Sequence, residues 1–405
     1  MTLDQLSVVI TGMGMRTAVG NTAVQSCASV RAGISRFAEW PYFSAAAGDA
    51  ESEDEEPSGV VVSAMSDDFG DEPWTEKVFD ALIEPLHEAL WAAKRYDLLT
   101  SRNQSRIGVY LATPCADRLP SARDEAAELG ADEEEDELDD ILDESDLEAG
   151  KVDQDEDAAF DGEDSYEAFR VDVVDFFEDL LGKTAIKLFP LDHASGLIAI
   201  AHAINDLERD EVDLCLVAGM DSLLDSQYLA ELFERGVLKT EDTSSGLIPG
   251  EAAAVLVLER EENAAARGVA PIAKVASVAV GKEIDSLDEQ APPTGRALTQ
   301  VLRAAVKQAG GPDQFGAVYV DLTGERSRFL EWALVETRCM HVFPRGWRIY
   351  HPADCLGDVG AAFGIVATVL AARALQRGYA PSNGVLVCSS SQRGERSAAC
   401  LFNIP

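Results

Sequence analysis

Phe189-Pro190-Leu191-Asp192-His193-Ala194-Ser195-Gly196-Leu197 joins two stretches of different hydrophobic period. Ile186 to Pro190 is a short apolar run of strand type, and Leu197 to Leu207 places apolar residues at helical spacing. Ala194-Ser195-Gly196 is small enough to turn the chain sharply between them. Strand, tight turn and helix together form an elbow that displays one side chain at a helix N-terminus. The positive end of the helix dipole stabilises a thiolate or another anion there. Here the displayed residue is His193, whose cation the same dipole disfavours.

Working outward, further segments in the same order carry a family resemblance. Val8-Val9-Ile10-Thr11-Gly12-Met13-Gly14-Met15-Arg16-Thr17-Ala18-Val19-Gly20-Asn21 resembles the opening VVITGxGxxTPxGN of the β-ketoacyl-acyl-carrier-protein synthases, in the thiolase-like superfamily. Ala194-Ser195-Gly196 matches the end of that family's TACASG. Ala218-Gly219-Met220-Asp221-Ser222 resembles its AGGxE/D, and Pro249 to Glu259 resembles its xGEGAGVLVLE. The resemblance covers roughly residues 5 to 112, 183 to 280 and 292 to 402. It implies an α/β thiolase-like fold, a duplicated five-layer αβαβα arrangement whose halves span about 1–265 and 266–405. Apolar runs at Asp213–Ala218, Ala254–Leu258, Ala317–Val320 and Gly384–Cys388 alternate with helical stretches at Gly295–Ala309 and Ala361–Leu375, as an α/β chain requires.

For activity the resemblance implies the reverse. The family condenses with one cysteine and two histidines, and all three positions differ here. His193 stands at the nucleophile position. Asp321-Leu322-Thr323-Gly324-Glu325 lies where the family has NAHGT, which puts Thr323 at the first histidine. Leu356-Gly357-Asp358-Val359-Gly360-Ala361-Ala362 lies at GHxxGAAG, which puts Gly357 at the second. A Claisen condensation needs a thiolate to hold the acyl group and paired imidazoles to stabilise the enolate and oxyanion. Thr323 offers one hydrogen bond and Gly357 only backbone. An acyl group on His193 would hydrolyse, so any residual chemistry is that of an acyltransferase or thioester hydrolase, with Asp192 or Thr323 assisting.

The C-terminal turn is altered as well. Ser389-Ser390-Ser391-Gln392-Arg393-Gly394-Glu395-Arg396-Ser397 lies where the family has SFGFGGTN. Arg393 takes the place of the phenylalanine gate, and Gly394 is the one glycine of the loop that remains. With Ser195, Ser391, Arg393 and Gly394 as its lining, the old acyl pocket reads as polar. It suits a small polar ligand better than a long acyl chain; the alternative is a solvated surface turn.

Composition sets outer bounds. The 405 residues are 46% hydrophobic, ample for a large core. The formal charge is −40, and it is local: residues 121 to 170 hold 23 Asp and Glu against 3 Lys and Arg. The segment of about 121–170, and Glu133 to Asp157 above all, reads as a solvated acidic insertion. It would repel an acidic carrier protein and nucleic acid, and could dock a basic protein. The longest apolar stretch, Gly360 to Ala372, is too short for a membrane span. Seven scattered cysteines without a CxxC pair point to reduced thiols and a cytoplasmic protein.

Three weaker signals carry no assignment. Gly12-Met13-Gly14 begins like a dinucleotide fingerprint but lacks the third glycine and the distal acid. His351, Asp354, Cys355 and Asp358 have metal-binding residue types at a spacing that fits no zinc pattern. Cys355 as a substitute nucleophile has no evident base. No cofactor and no metal are therefore expected. The resemblance implies a two-fold dimer, either with itself or with an active synthase. The leading expectation is a synthase homologue without condensing activity, a scaffold or partner subunit in fatty-acid or polyketide-type metabolism. It is similar in logic to the chain-length-factor subunits, in which the family's cysteine is also replaced.

Overall fold

The computed structural model describes residues 7–44, 59–65, 74–99, 106–119, 163–240, 243, 245–283 and 292–404. The acidic stretch expected as an insertion falls outside the described residues as far as 162.

Ten of the twelve described strands form one sheet. In chain order the strands are β1 (Val8–Thr17), β2 (Ala38–Ser44), β3 (Gly59–Val62), β4 (Ile107–Thr113), β5 (Ala185–Pro190), β6 (Leu214–Ser222), β7 (Glu251–Arg260), β8 (Ala273–Lys282), β9 (Phe315–Val320), β10 (Arg348–Tyr350), β11 (Gly384–Ser390) and β12 (Glu395–Phe402). The large sheet runs β10-β9-β11-β12-β8-β1-β7-β6-β4-β5, while β2 and β3 pair separately. Split between β1 and β8, it falls into two five-stranded sets of identical plan. In each, the first strand lies beside the fifth, then come the fourth, second and third. The pairings agree too: β1–β7 and β7–β6 are antiparallel and β6–β4–β5 parallel, matched by β8–β12, β12–β11 and β11–β9–β10. This is the thiolase-like duplication, observed directly in strand order.

Helices cover both faces, which is why β4, β6 and β7 are buried almost throughout and read as unbroken apolar runs. Trp74–Ala92 and Glu163–Leu181 pack outside the first set, and Arg296–Gln308 and Arg326–Cys339 outside the second. Ser195–Glu208 and Phe363–Gln376 fill the layer between. Phe363–Gln376 is apolar on every side as far as Ala372, as an enclosed helix must be. Each of its large buried side chains contributes roughly 1.5–3 kcal/mol by leaving water.

Two pairs of glycines set the spacing of these layers. A Cβ at Gly12 or Gly14 would lie 2.0 Å from the carbonyl oxygen of Ala89 or Pro85, so the Trp74–Ala92 helix rests directly on β1. That close approach, rather than a phosphate, accounts for the Gly12-Met13-Gly14 pattern. At the centre, a Cβ on Gly196 would meet Gly364 Cα at 2.9 Å, and one on Gly364 would meet Leu197 N at 2.8 Å. The two central helices therefore touch backbone to backbone at their first turns. Each is entered through a 3-10 turn, Asp192–Ala194 and Gly360–Ala362, so Ala361 occupies in the second set the place that His193 holds in the first.

Candidate functional site

The elbow forms as the sequence indicates, with β5 ending at Pro190 and the helix beginning at Ser195. The intervening turn places Asp192 at φ +50°, a conformation that Asp tolerates better than most residues. Ser195 is buried and holds the bend. Its hydroxyl accepts from Leu191 N at 3.1 Å and donates to Asp192 O at 2.5 Å. Ser391 ties the elbow to the C-terminal loop, accepting from Ala194 N at 3.0 Å and donating to Leu191 O.

His193 is 5% exposed and lies between two charged groups from the second half of the chain. Its Nε2 is 2.6 Å from Asp358 Oδ1 and its Nδ1 is 3.3 Å from a terminal nitrogen of Arg328. A guanidinium can only donate, so Nδ1 carries the lone pair and the proton sits on Nε2, donated to Asp358. Asp358 also accepts from Gly360 N at 2.9 Å. Burial pushes its carboxyl up, but His193, Arg328 and the Gly360 amide outweigh this and hold it well below the usual carboxylate range.

Arg328 is anchored by carboxylates. Its Nε donates to Glu325 at 2.7 Å, and one terminal nitrogen donates to Asp321 and to Ser390 O, both at 2.9 Å. Burial alone would lower its pKa, yet Glu325, Asp321 and Asp358 raise it, so it stays charged. A second buried cluster lies on the other side of the elbow. Arg118 makes a two-pronged contact with Asp221 at 3.0 and 3.1 Å, reaches Asp192 at 2.9 Å and stacks over Tyr228. Burial raises the Asp192 carboxyl, but Arg118 and the Cys115 contacts bring it below its ordinary value. Asp221 moves the other way, with burial dominating.

The remaining residues singled out by sequence scatter around this core. Thr323 is buried and donates to Glu325 at 3.1 Å, so it reaches His193 only through Glu325 and Arg328. Gly357 has φ +70°, and a Cβ there would lie 2.6 Å from Ile248 O; its neighbour Asp358 supplies the group that meets His193. Arg393 pairs with Asp117 at 2.7 Å and is half-exposed, and Gly394 closes the turn with φ +102°. Asp192 points to Arg118 and Cys115, away from any role as partner to the imidazole. His351 meets Asp354 at 3.2 Å, while the Cys355 thiol turns toward Val30 O. Among the described residues no group of three His, Cys, Asp or Glu is disposed to hold a metal.

Sequence reasoning missed Arg328, and took Asp358 only as a metal-binding residue type rather than as the partner of His193. Asp358 was visible one position beyond Gly357, and spacing counted from the glycines passes it by. Arg328 gave no signal, because an arginine two residues into an amphipathic helix reads as solvent-facing.

Comparison with known proteins places this geometry. The family model for the β-ketoacyl synthase N-terminal domain matches residues 192–264, beginning at the elbow itself. Over this stretch the chain is similar to the β-ketoacyl synthases. Among curated relatives, the chain is 31% identical over 212 residues to the actinorhodin polyketide β-ketoacyl synthase 2 of Streptomyces coelicolor, covering 48% of this chain and 49% of that one. It is 26% identical over 200 residues to the 3-oxoacyl-acyl-carrier-protein synthase 2 of Mycobacterium bovis, covering 45% and 46%. The 6-methylsalicylic acid synthase of Aspergillus niger is 32% identical over 123 residues, 29% of this chain and 7% of that one. The matches thus span at most about half the length of these relatives.

Solved structures agree over nearly the whole chain. The ishigamide ketosynthase/chain length factor superposes with TM-score 0.71 at 17% identity, covering 99% of this chain and 100% of that one. A β-ketoacyl synthase from Burkholderia phymatum gives 0.70 at 19%, with the same coverage. A type II polyketide acyl-carrier protein complex with its ketosynthase gives 0.76 at 16%, covering 98% and 100%. At these identities the likeness establishes the fold. No described helix is long and apolar enough to cross a membrane.

Proposed function

We propose that this chain is a synthase-fold protein without condensing activity, a scaffold or partner subunit in fatty-acid or polyketide-type metabolism. It is built from halves 1–265 and 266–405 and pairs with itself or with a cysteine-bearing synthase. The supporting observation is the state of the nucleophile position. His193 has both ring nitrogens committed, to Asp358 at 2.6 Å and Arg328 at 3.3 Å, and a charged side chain packs where a thioester would have to approach. A nucleophile needs an unshared pair aimed at the carbonyl. Thr323 and Gly357, at the two family histidine positions, add no imidazole to stabilise an oxyanion. The solved ketosynthase/chain length factor gives the reading its precedent in fold. The seven buried, unpaired cysteines support a cytoplasmic location.

Two measurements on the purified chain decide the matter. Incubation with malonyl and acyl thioesters of carrier protein or coenzyme A is expected to give no condensation and no thioester loss above the His193→Ala background. Co-expression with a cysteine-containing synthase encoded nearby is expected to yield a stoichiometric heterodimer; if none is nearby, a homodimer is expected. Condensation by the chain alone would overturn the proposal.

A second reading draws on the 2.6 Å contact between His193 and Asp358, which is the geometry of an oriented base and fits a residual acyltransferase or hydrolase. Thioester turnover lost in His193→Ala would establish it. A polar small-ligand pocket at Arg393 has less support, since that side chain already pairs with Asp117.

A further inference from the structure

We infer that Arg328 is a plug that holds a hydrolytic base, the His193–Asp358 pair, out of use. The inference rests on the reading that the chain as it stands turns over no thioester.

A general base built on imidazole needs one ring nitrogen fixed by an acceptor and the other presenting its lone pair to a water. The first half of that device is complete. Nε2 donates to Asp358, and Asp358 is fixed through its side chain by Gly360 N and through its backbone, which donates to Ile248 O at 2.7 Å and accepts from Gly250 N at 2.8 Å. The imidazole is held from behind as well, since the His193 carbonyl accepts from the Ser389 hydroxyl.

The second half is present but covered. The Nδ1 lone pair faces Arg328, and at 3.3 Å this is the longest hydrogen bond the guanidinium makes. Its contacts to Glu325, Asp321 and Ser390 O run from 2.7 to 2.9 Å. The carboxylates therefore position Arg328, and the imidazole is masked by an arginine that other groups hold in place. Both partners are buried, Arg328 at 8% and His193 at 5% exposure. Truncating Arg328 leaves a polar space among Asp321, Glu325 and the imidazole, the groups the guanidinium touches, which water fills.

The activity uncovered is hydrolysis of small acyl esters and thioesters. Water attacks the carbonyl carbon as Nδ1 takes its proton. The bond to the leaving oxygen or sulfur then breaks, the leaving group departs as the anion, and the imidazolium returns its proton to solvent. The imidazolium forms against Asp358, whose carboxylate stabilises it.

The test uses p-nitrophenyl acetate with Arg328→Ala, Arg328→Ala/His193→Ala and Arg328→Ala/Asp358→Asn. Arg328→Ala should release p-nitrophenolate about 100-fold faster than the His193 double variant, within the range a positioned base supplies. The Asp358 double variant should fall between them, and added methylguanidinium should suppress the gain by refilling the space. A folded Arg328→Ala protein no faster than its His193 double variant overturns the plug. Should the alanine variant fail to fold, Arg328→Met fills more of the space and is read the same way. Independently, nitrogen NMR of the histidine-labelled natural protein should find Nδ1 without a proton; a proton there overturns the plug. His193-dependent turnover by the natural protein would sink both the plug and the reading of function, whereas a silent Arg328→Ala sinks the plug alone.

Discussion

Gly364→Ala tests the seam on which both halves meet. The new methyl carbon would lie 2.8 Å from Leu197 N and 2.9 Å from Gly196 Cα, against the 3.4 Å at which ordinary contact begins. Both opposing atoms are backbone, so no side chain can rotate away and the central helices must separate by about 0.6 Å. A gap of that size forfeits roughly a quarter to a half of each facing contact. Overpacking of this kind costs about 1–3 kcal/mol, and the rigid backbone on both sides puts this case at the upper end. Against it stands the helix propensity gained from Gly to Ala, about 1 kcal/mol. The net expectation is a loss of about 2 kcal/mol, or roughly 2–3 °C in the thermal midpoint of a chain this long. Thermal and urea melts followed by circular dichroism read it. A midpoint equal to or above that of the natural protein would refute the reasoning, because propensity alone predicts a gain. Gly196→Ala should cost a similar amount, and the double variant should cost less than the sum, since one separation relieves both clashes.

Asp358→Ala leaves the His193 proton and the Gly360 amide without their acceptor and is expected to cost about 3–5 kcal/mol, with Asp358→Asn costing clearly less; urea midpoints distinguish the two. The Asp358 and Asp192 carboxyls are held below their ordinary values, so each contributes stability that is complete above about pH 4 and drains away as pH falls through the folded value. Asp358→Asn should therefore flatten the dependence of the urea midpoint between about pH 4 and pH 2.5, and an unchanged slope would refute the assignment. All seven cysteines are buried, and burial pushes the Cys27 and Cys400 thiols up to about 12. Ellman's reagent at pH 8 should find no rapidly reacting thiol in the native protein and seven after denaturation. The half-exposed Arg393–Asp117 pair should contribute no more than about 1 kcal/mol, so Arg393→Ala should leave the melt nearly unchanged.

The fold was legible because its signals are local. The apolar runs at Val8, Leu214, Glu251 and Gly384 and the small-residue elbow at Ala194-Ser195-Gly196 each report a neighbourhood that the chain carries along with it. What surrounds His193 was not legible, because Arg328 and Asp358 lie 135 and 165 residues away from it, on elements joined only by the fold. Arg393 gives the converse case. Its position in the loop suggested a pocket mouth, whereas it pairs with Asp117, from the turn after β4. Spacing can say which residue follows a strand, but not which charge will be waiting opposite it.

The contacts of His193 cross the duplication. The imidazole belongs to the first five-stranded set and its two partners to the second, as do the Ser389 and Ser391 hydroxyls that hold the elbow's backbone. His193 is thereby a rivet between the repeats. If the chain were cut between β7 and β8, each fragment would bare charges that only the other can neutralise. The fragments should then fold together or not at all, and the pressure to keep His193 would be mechanical even where no substrate ever arrives.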